Sequence, residues 1–120
     1  MKLSAVVNAL PALQSLAGQR LSLKTLYKVD KIIRQVNLEA EFFNKQRFSI
    51  LRDCADHVKG DDWKLRADKV QEYQDRLNEL LEMEIVDDIE PVIIGADENL
   101  YLSYNELQSL KGFVELESME

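Results

Sequence analysis

The chain has 120 residues, 46% apolar and 31% charged, which predicts one domain over residues 1–120 and excludes an intrinsically disordered polymer. Its single cysteine, Cys54, excludes an internal disulfide and fits a reducing compartment. The net charge of -7 is split into a balance of +4 over residues 1–78 and -11 over residues 79–120, which argues against free nucleic acid as the main partner and for a charged protein-binding face or self-complementary packing.

The opening segment, MKLSAVVNALPALQSLAG, has a lysine and an apolar run but not the unbroken core of a leader peptide, because Asn8 and Pro11 interrupt it. Its apolar residues Leu3, Val6, Val7, Leu10, Leu13 and Leu16 follow helical spacing instead. The pattern predicts a first helix capped by Ser4 and ending near Ala17, with Gly18 as its stop. Pro11 predicts either a kink or a helix that starts at Pro11. No stretch approaches the 18 or so apolar residues of a membrane span.

Ser22 opens the second predicted helix. Leu26, Val29, Ile33, Val36, Ala40, Phe43, Arg47, Ile50 and Cys54 alternate at spacings of three and four, a heptad seam. The helix is expected to reach about Val58, roughly 55 Å at 1.5 Å per residue. Gly60 then turns the chain, and Asp61 or Asp62 caps a third helix with its own seam, Trp63, Ala67, Val70, Gln74, Leu77 and Leu81. The two helices are expected to form an antiparallel hairpin. The third is too short to cover the second, so the segment from Leu23 to Val36 must be buried by the first helix and the C-terminal region.

The C-terminal region is richer in β-branched residues. Ile85–Ile94 predicts an edge strand marked by Pro91, and Gly95–Asn99 a loop. Leu100–Leu102 is a candidate short strand. Ser103 and Glu106 have capping-box spacing for a short helix through Leu110, Gly112 stops it, and Phe113–Leu116 returns as a strand. The expected fold is α+β and mainly helical. A helical part spans residues 1–83 and an acidic α/β part residues 84–120.

Four carboxylates interrupt MEIVDDIEPVII: Glu84, Asp87, Asp88 and Glu90. On a strand, Asp87 and Asp88 point to opposite faces and Asp88 and Glu90 to the same one. A metal-dependent hydrolase would need them to converge, yet no phosphate loop or oxyanion donor accompanies them. The competing readings are a solvated edge that blocks aggregation and an acidic face for a partner, extended by Asp97 and Glu98. Lys24, Lys28 and Lys31 form a basic stripe on the second helix, facing either solvent or this acidic segment. His57 lies three residues from Cys54 but has no zinc-ligand motif around it, and fits a histidine at a helix C-terminus. Arg47 interrupts the seam and is expected either to pair with Asp75 or Glu79 or to reach out at the seam's edge. Phe42 and Phe48 flank the seam, as part of a wider core face or as an exposed protein-binding surface.

The order of VNALPALQSLAGQRLSLKTLYKVDKIIRQV, a long charged helix, ELLEMEIVDDIEPVII and LSYNELQSLKGFVELE resembles a small family of unknown function encoded by phages and prophages of Gram-positive bacteria. The resemblance covers nearly the whole chain, implies a phage-related origin, and brings no catalytic motif. It leads us to expect a non-enzymatic phage accessory protein in the host bacterial cytoplasm, without metal or cofactor. Such a protein would bind a host or phage protein partner, for instance blocking a host defence factor through the acidic face. The alternative is a virion assembly protein that oligomerises through the helical hairpin.

Overall fold

The computed structural model describes residues 1–117; residues 118–120, the end of the predicted acidic part, lie outside the described residues. The fold is α+β and mainly helical. Helix α1 spans Leu3–Ala17 and α2 Leu23–Cys54; strands β1 (Ala55–Lys59) and β2 (Asp62–Leu65) follow. A 3-10 turn over Ala67–Lys69 leads into α3 (Val70–Glu82), then β3 (Val92–Ile94), α4 (Tyr104–Ser109) and β4 (Val114–Leu116).

Helix α1 starts a residue before Ser4, with Lys2 at the N-cap and no side-chain cap. Met83 takes over the capping role, since its carbonyl accepts the Leu3 N–H at 2.8 Å. The Ile85 N–H donates to the Met1 carbonyl at 3.0 Å, so the first residues run antiparallel to residues 83–85. Pro11 sits inside one helix rather than beginning a new one. It is exposed, and its ring costs the Val7 carbonyl its usual i+4 donor. Gly18 follows α1 in right-handed conformation (φ -79°), so it is not a left-handed stop.

Ser22 caps α2 as expected, its hydroxyl accepting the Thr25 N–H at 3.3 Å. The far end of α2 falls short of Val58. At Ala55 the backbone becomes extended, and β1 and β2 form an antiparallel ribbon that turns at Gly60 (φ 56°). Arg66 makes that end possible without a glycine. Its N–H donates to the Cys54 carbonyl at 3.0 Å and its guanidinium to the Asp53 carbonyl, satisfying two of the helix's orphan acceptors. A β-ribbon therefore separates α2 from α3, which shortens α3 to 13 residues and replaces the expected tight helix–helix turn.

The seam of α2 is buried at Val29, Val36, Ala40, Phe43, Ile50 and Cys54. Arg47 is exposed and makes no ion pair with Asp75 or Glu79; the cross-helix pair among the described residues joins Arg76 to Asp53 at 3.0 Å. The predicted seam of α3 is only partly right. Ala67, Val70 and Gln74 are exposed, and the packed face is Tyr73, Leu77, Leu80 and Leu81. The later start of α3, after the ribbon and the 3-10 turn, leaves Trp63 and Ala67 off that helical face.

Two apolar cores follow from this. Phe43, Ile50 and Cys54 of α2 meet Leu80 of α3 and Leu3 of α1 in one. Val29, Ile32 and Val36 meet Val6, Ala9, Leu13 and Leu16 of α1 and Val92, Ile94, Leu110 and Phe113 of the C-terminal region in the other. The first half of α2 is therefore covered by α1 and the C-terminal region, as the short third helix requires. Each large side chain buried here contributes about 1.5–3 kcal/mol.

The C-terminal region is a small βαβ unit. β3 and β4 are parallel, in the register Val92 with Val114 and Ile94 with Leu116. Between them Ser103 and Glu106 form the capping box of α4, and Gly112 at φ 86° reverses the chain into β4. Leu100–Leu102 forms no strand. The predicted strand 85–94 is reduced to Val92–Ile94, because residues 83–85 pair with the N-terminal segment and residues 86–91 bend away.

Candidate functional site

The bend removes the alternation expected of Asp87 and Asp88. Both line the same side, along a groove between α2 and residues 87–93. Lys28, Lys31, Ile32 and Gln35 form one wall of its larger part, about 500 Å³, and Asp88, Glu90, Pro91, Val92 and Ile93 the other. An adjoining part of about 330 Å³ shares Gln35 and Asp88 and adds Leu38, Glu39, Asp87 and Ile89. The acidic segment thus shares a groove with the basic stripe without closing on it. Among the described residues none of Lys28, Lys31, Asp87, Asp88 and Glu90 forms an ion pair.

Other predicted site residues have structural partners instead. Glu84 accepts from the Met1 ammonium at 2.7 Å, which holds its carboxyl below the usual carboxylate range. Glu98 binds the start of α2. It accepts from the Ser22 hydroxyl at 2.6 Å and the Ser22 N–H at 3.2 Å, and these contacts, with the Thr25 hydroxyl, likewise lower its pKa. Asp97 is exposed beside Gly95, outside the groove. Glu84 is therefore held apart from Asp87, Asp88 and Glu90, and among the described residues no group of three or more His, Cys, Asp or Glu could hold a metal ion.

The two phenylalanines separate. Phe42 is 41% exposed, one helical turn beyond Leu38, which is 67% exposed and lines the groove. Phe48 is 44% exposed at the other end, edge-on to Trp63 at 5.6 Å and beneath Arg52 at 5.2 Å. His57 belongs to β1 rather than a helix end. Its ring lies 5.0 Å from Trp63, and its Nε2 is 2.7 Å from the Gly60 carbonyl oxygen. Cys54 is buried, and burial first, then its Glu72 contact at 3.2 Å, pushes its thiol pKa up, away from nucleophilic use.

Sequence reasoning missed Leu38, Gln35 and Ile93 as groove residues. Leu38 carried a usable signal, a large apolar residue opposite the heptad seam. Ile93 carried none, since it stands in an unbroken apolar run and its exposure follows from Val92 and Ile94 taking the buried face of β3.

No family model, no curated protein and no solved structure matches the chain. No helix among the described residues is long and apolar enough to cross a membrane.

Proposed function

We propose that the chain is a phage- or prophage-encoded accessory protein of the host cytoplasm that acts by binding another protein through the face formed by α2 and residues 87–93. One observation carries this reading. Glu84, Glu98 and Glu106 are engaged within the fold, whereas Asp87, Asp88 and Glu90 stand exposed at a groove with no ion pair among the described residues. Unpaired charge beside exposed Leu38 and Phe42 suits a binding face better than a reacting centre. In its concrete form the carboxylates engage a basic site on a host protein and block it. Capture from host lysate is compared between the native chain and D87K/D88K/E90K. Loss of a captured protein in the triple variant supports the reading, and undiminished capture removes it.

The groove's mixed charge favours a second reading, an assembly protein that oligomerises in the virion. Detection of the chain in purified particles, in stoichiometric amount, would favour it over host-protein blocking.

A further inference from the structure

We infer that the α2 groove is the interface of a two-fold homodimer, in which Lys28 and Lys31 of each copy meet Asp88 and Glu90 of the other. This rests on the second, oligomerising reading of that face and not on host-protein blocking, and it commits the face to one occupant, a second copy.

The charge arrangement selects the occupant. One wall carries Lys28 and Lys31, the other Asp88 and Glu90, and the four are unpaired among the described residues. A uniformly basic or uniformly acidic ligand is attracted by one wall and repelled by the other. A second copy offers both signs at the same separation. A two-fold axis lying in the interface plane and running along the groove sets the basic wall of each copy over the acidic wall of the other, so both attractive pairings form together, as an isologous interface requires. Ile93 on the acidic wall and Leu38 in the adjoining part, 59% and 67% exposed, give the contact apolar surface, while Ile32 and Val92 are buried. The β3 edge is also open. Val92 N–H donates to the Phe113 carbonyl at 2.8 Å and the Ile94 carbonyl accepts from Glu117 at 2.9 Å. In a parallel ladder this directs the N–H and C=O of Ile93 away from β4.

The test uses charge exchange. By light scattering the native chain is expected to approach twice its 13.9 kDa mass as concentration rises, less readily at high salt. K28E/K31E alone and D88K/E90K alone are each expected to associate roughly 100-fold or more weakly, through like-charge repulsion. Mixed in equal amounts, they are expected to recover association, because each now complements the other; recovery also shows that both are folded. A native chain that stays monomeric, a single variant that dimerises as well as the native chain, or a mixture that does not recover overturns the proposal. A dimer that captures nothing from lysate refutes host-protein binding and leaves this inference standing, and a monomer that captures a partner does the reverse.

Discussion

Gln19 and Tyr101 make a reciprocal pair: the Gln19 amide donates to the Tyr101 carbonyl at 2.8 Å and accepts the Tyr101 N–H at 2.8 Å. One side chain thereby pins the loop between β3 and α4 to the connection between α1 and α2. Gln19→Ala is expected to cost about 1 kcal/mol in urea unfolding, since two bonds are lost but both backbone groups regain water. Gln19→Glu should do no better, because it places a carboxylate against the Tyr101 carbonyl. Faster hydrogen exchange at the Tyr101 amide in Gln19→Ala would confirm the assignment, since Gln19→Glu keeps an acceptor for that N–H.

The Glu98 contact with Ser22 predicts an acid-sensitive brace. Its folded pKa lies below the unfolded value, so its contribution is fully present above the ordinary carboxylate range and is lost as pH falls through the depressed folded value. Glu98→Gln should lower stability at neutral pH, and the gap from the native chain should close as the solution is acidified. Denaturant titrations at a series of pH values measure that gap. A gap that widens towards acid would contradict the assignment.

Two phenylalanines provide a contrast in burial. Phe113 is almost fully buried in the core shared by α1, α2 and the βαβ unit. Phe113→Ala is expected to cost about 3–5 kcal/mol. Phe42→Ala, at an exposed position, should cost less than about 1 kcal/mol and act chiefly on association. Urea midpoints measured at low concentration separate the two effects.

Glycines 18 and 112 should respond in opposite directions. Gly112 has φ 86°, and an alanine there is expected to cost about 1–2 kcal/mol of left-handed strain. Gly18 has right-handed backbone, and an added Cβ meets only the Ser15 and Gln14 carbonyl oxygens at 3.5 and 3.7 Å. Gly18→Ala should stabilise by about 0.4–1 kcal/mol through the unfolded chain. Thermal melts of both variants check the sign.

Local pattern alone determined a good deal. The seam of α2, the Ser22 cap, the capping box at Ser103 and Glu106, and the turns at Gly60 and Gly112 each depend on residues within a few positions of one another. Volume reasoning from a short third helix also placed α1 and the C-terminal region over Val29 and Val36. Tertiary structure decided the rest. The end of α2 depends on Arg66, whose contacts to Asp53 and Cys54 cross more than ten residues. The bend at Asp87 and Asp88 depends on residues 83–85 being drawn to the N-terminal segment, which no alternation pattern encodes. The groove lies where residues 88–93 stand beside α2, bringing Lys28 and Lys31 opposite Asp88 and Glu90. Charge composition determined that the two halves of the chain differ in sign. Packing decided that the two signs face one another across a gap.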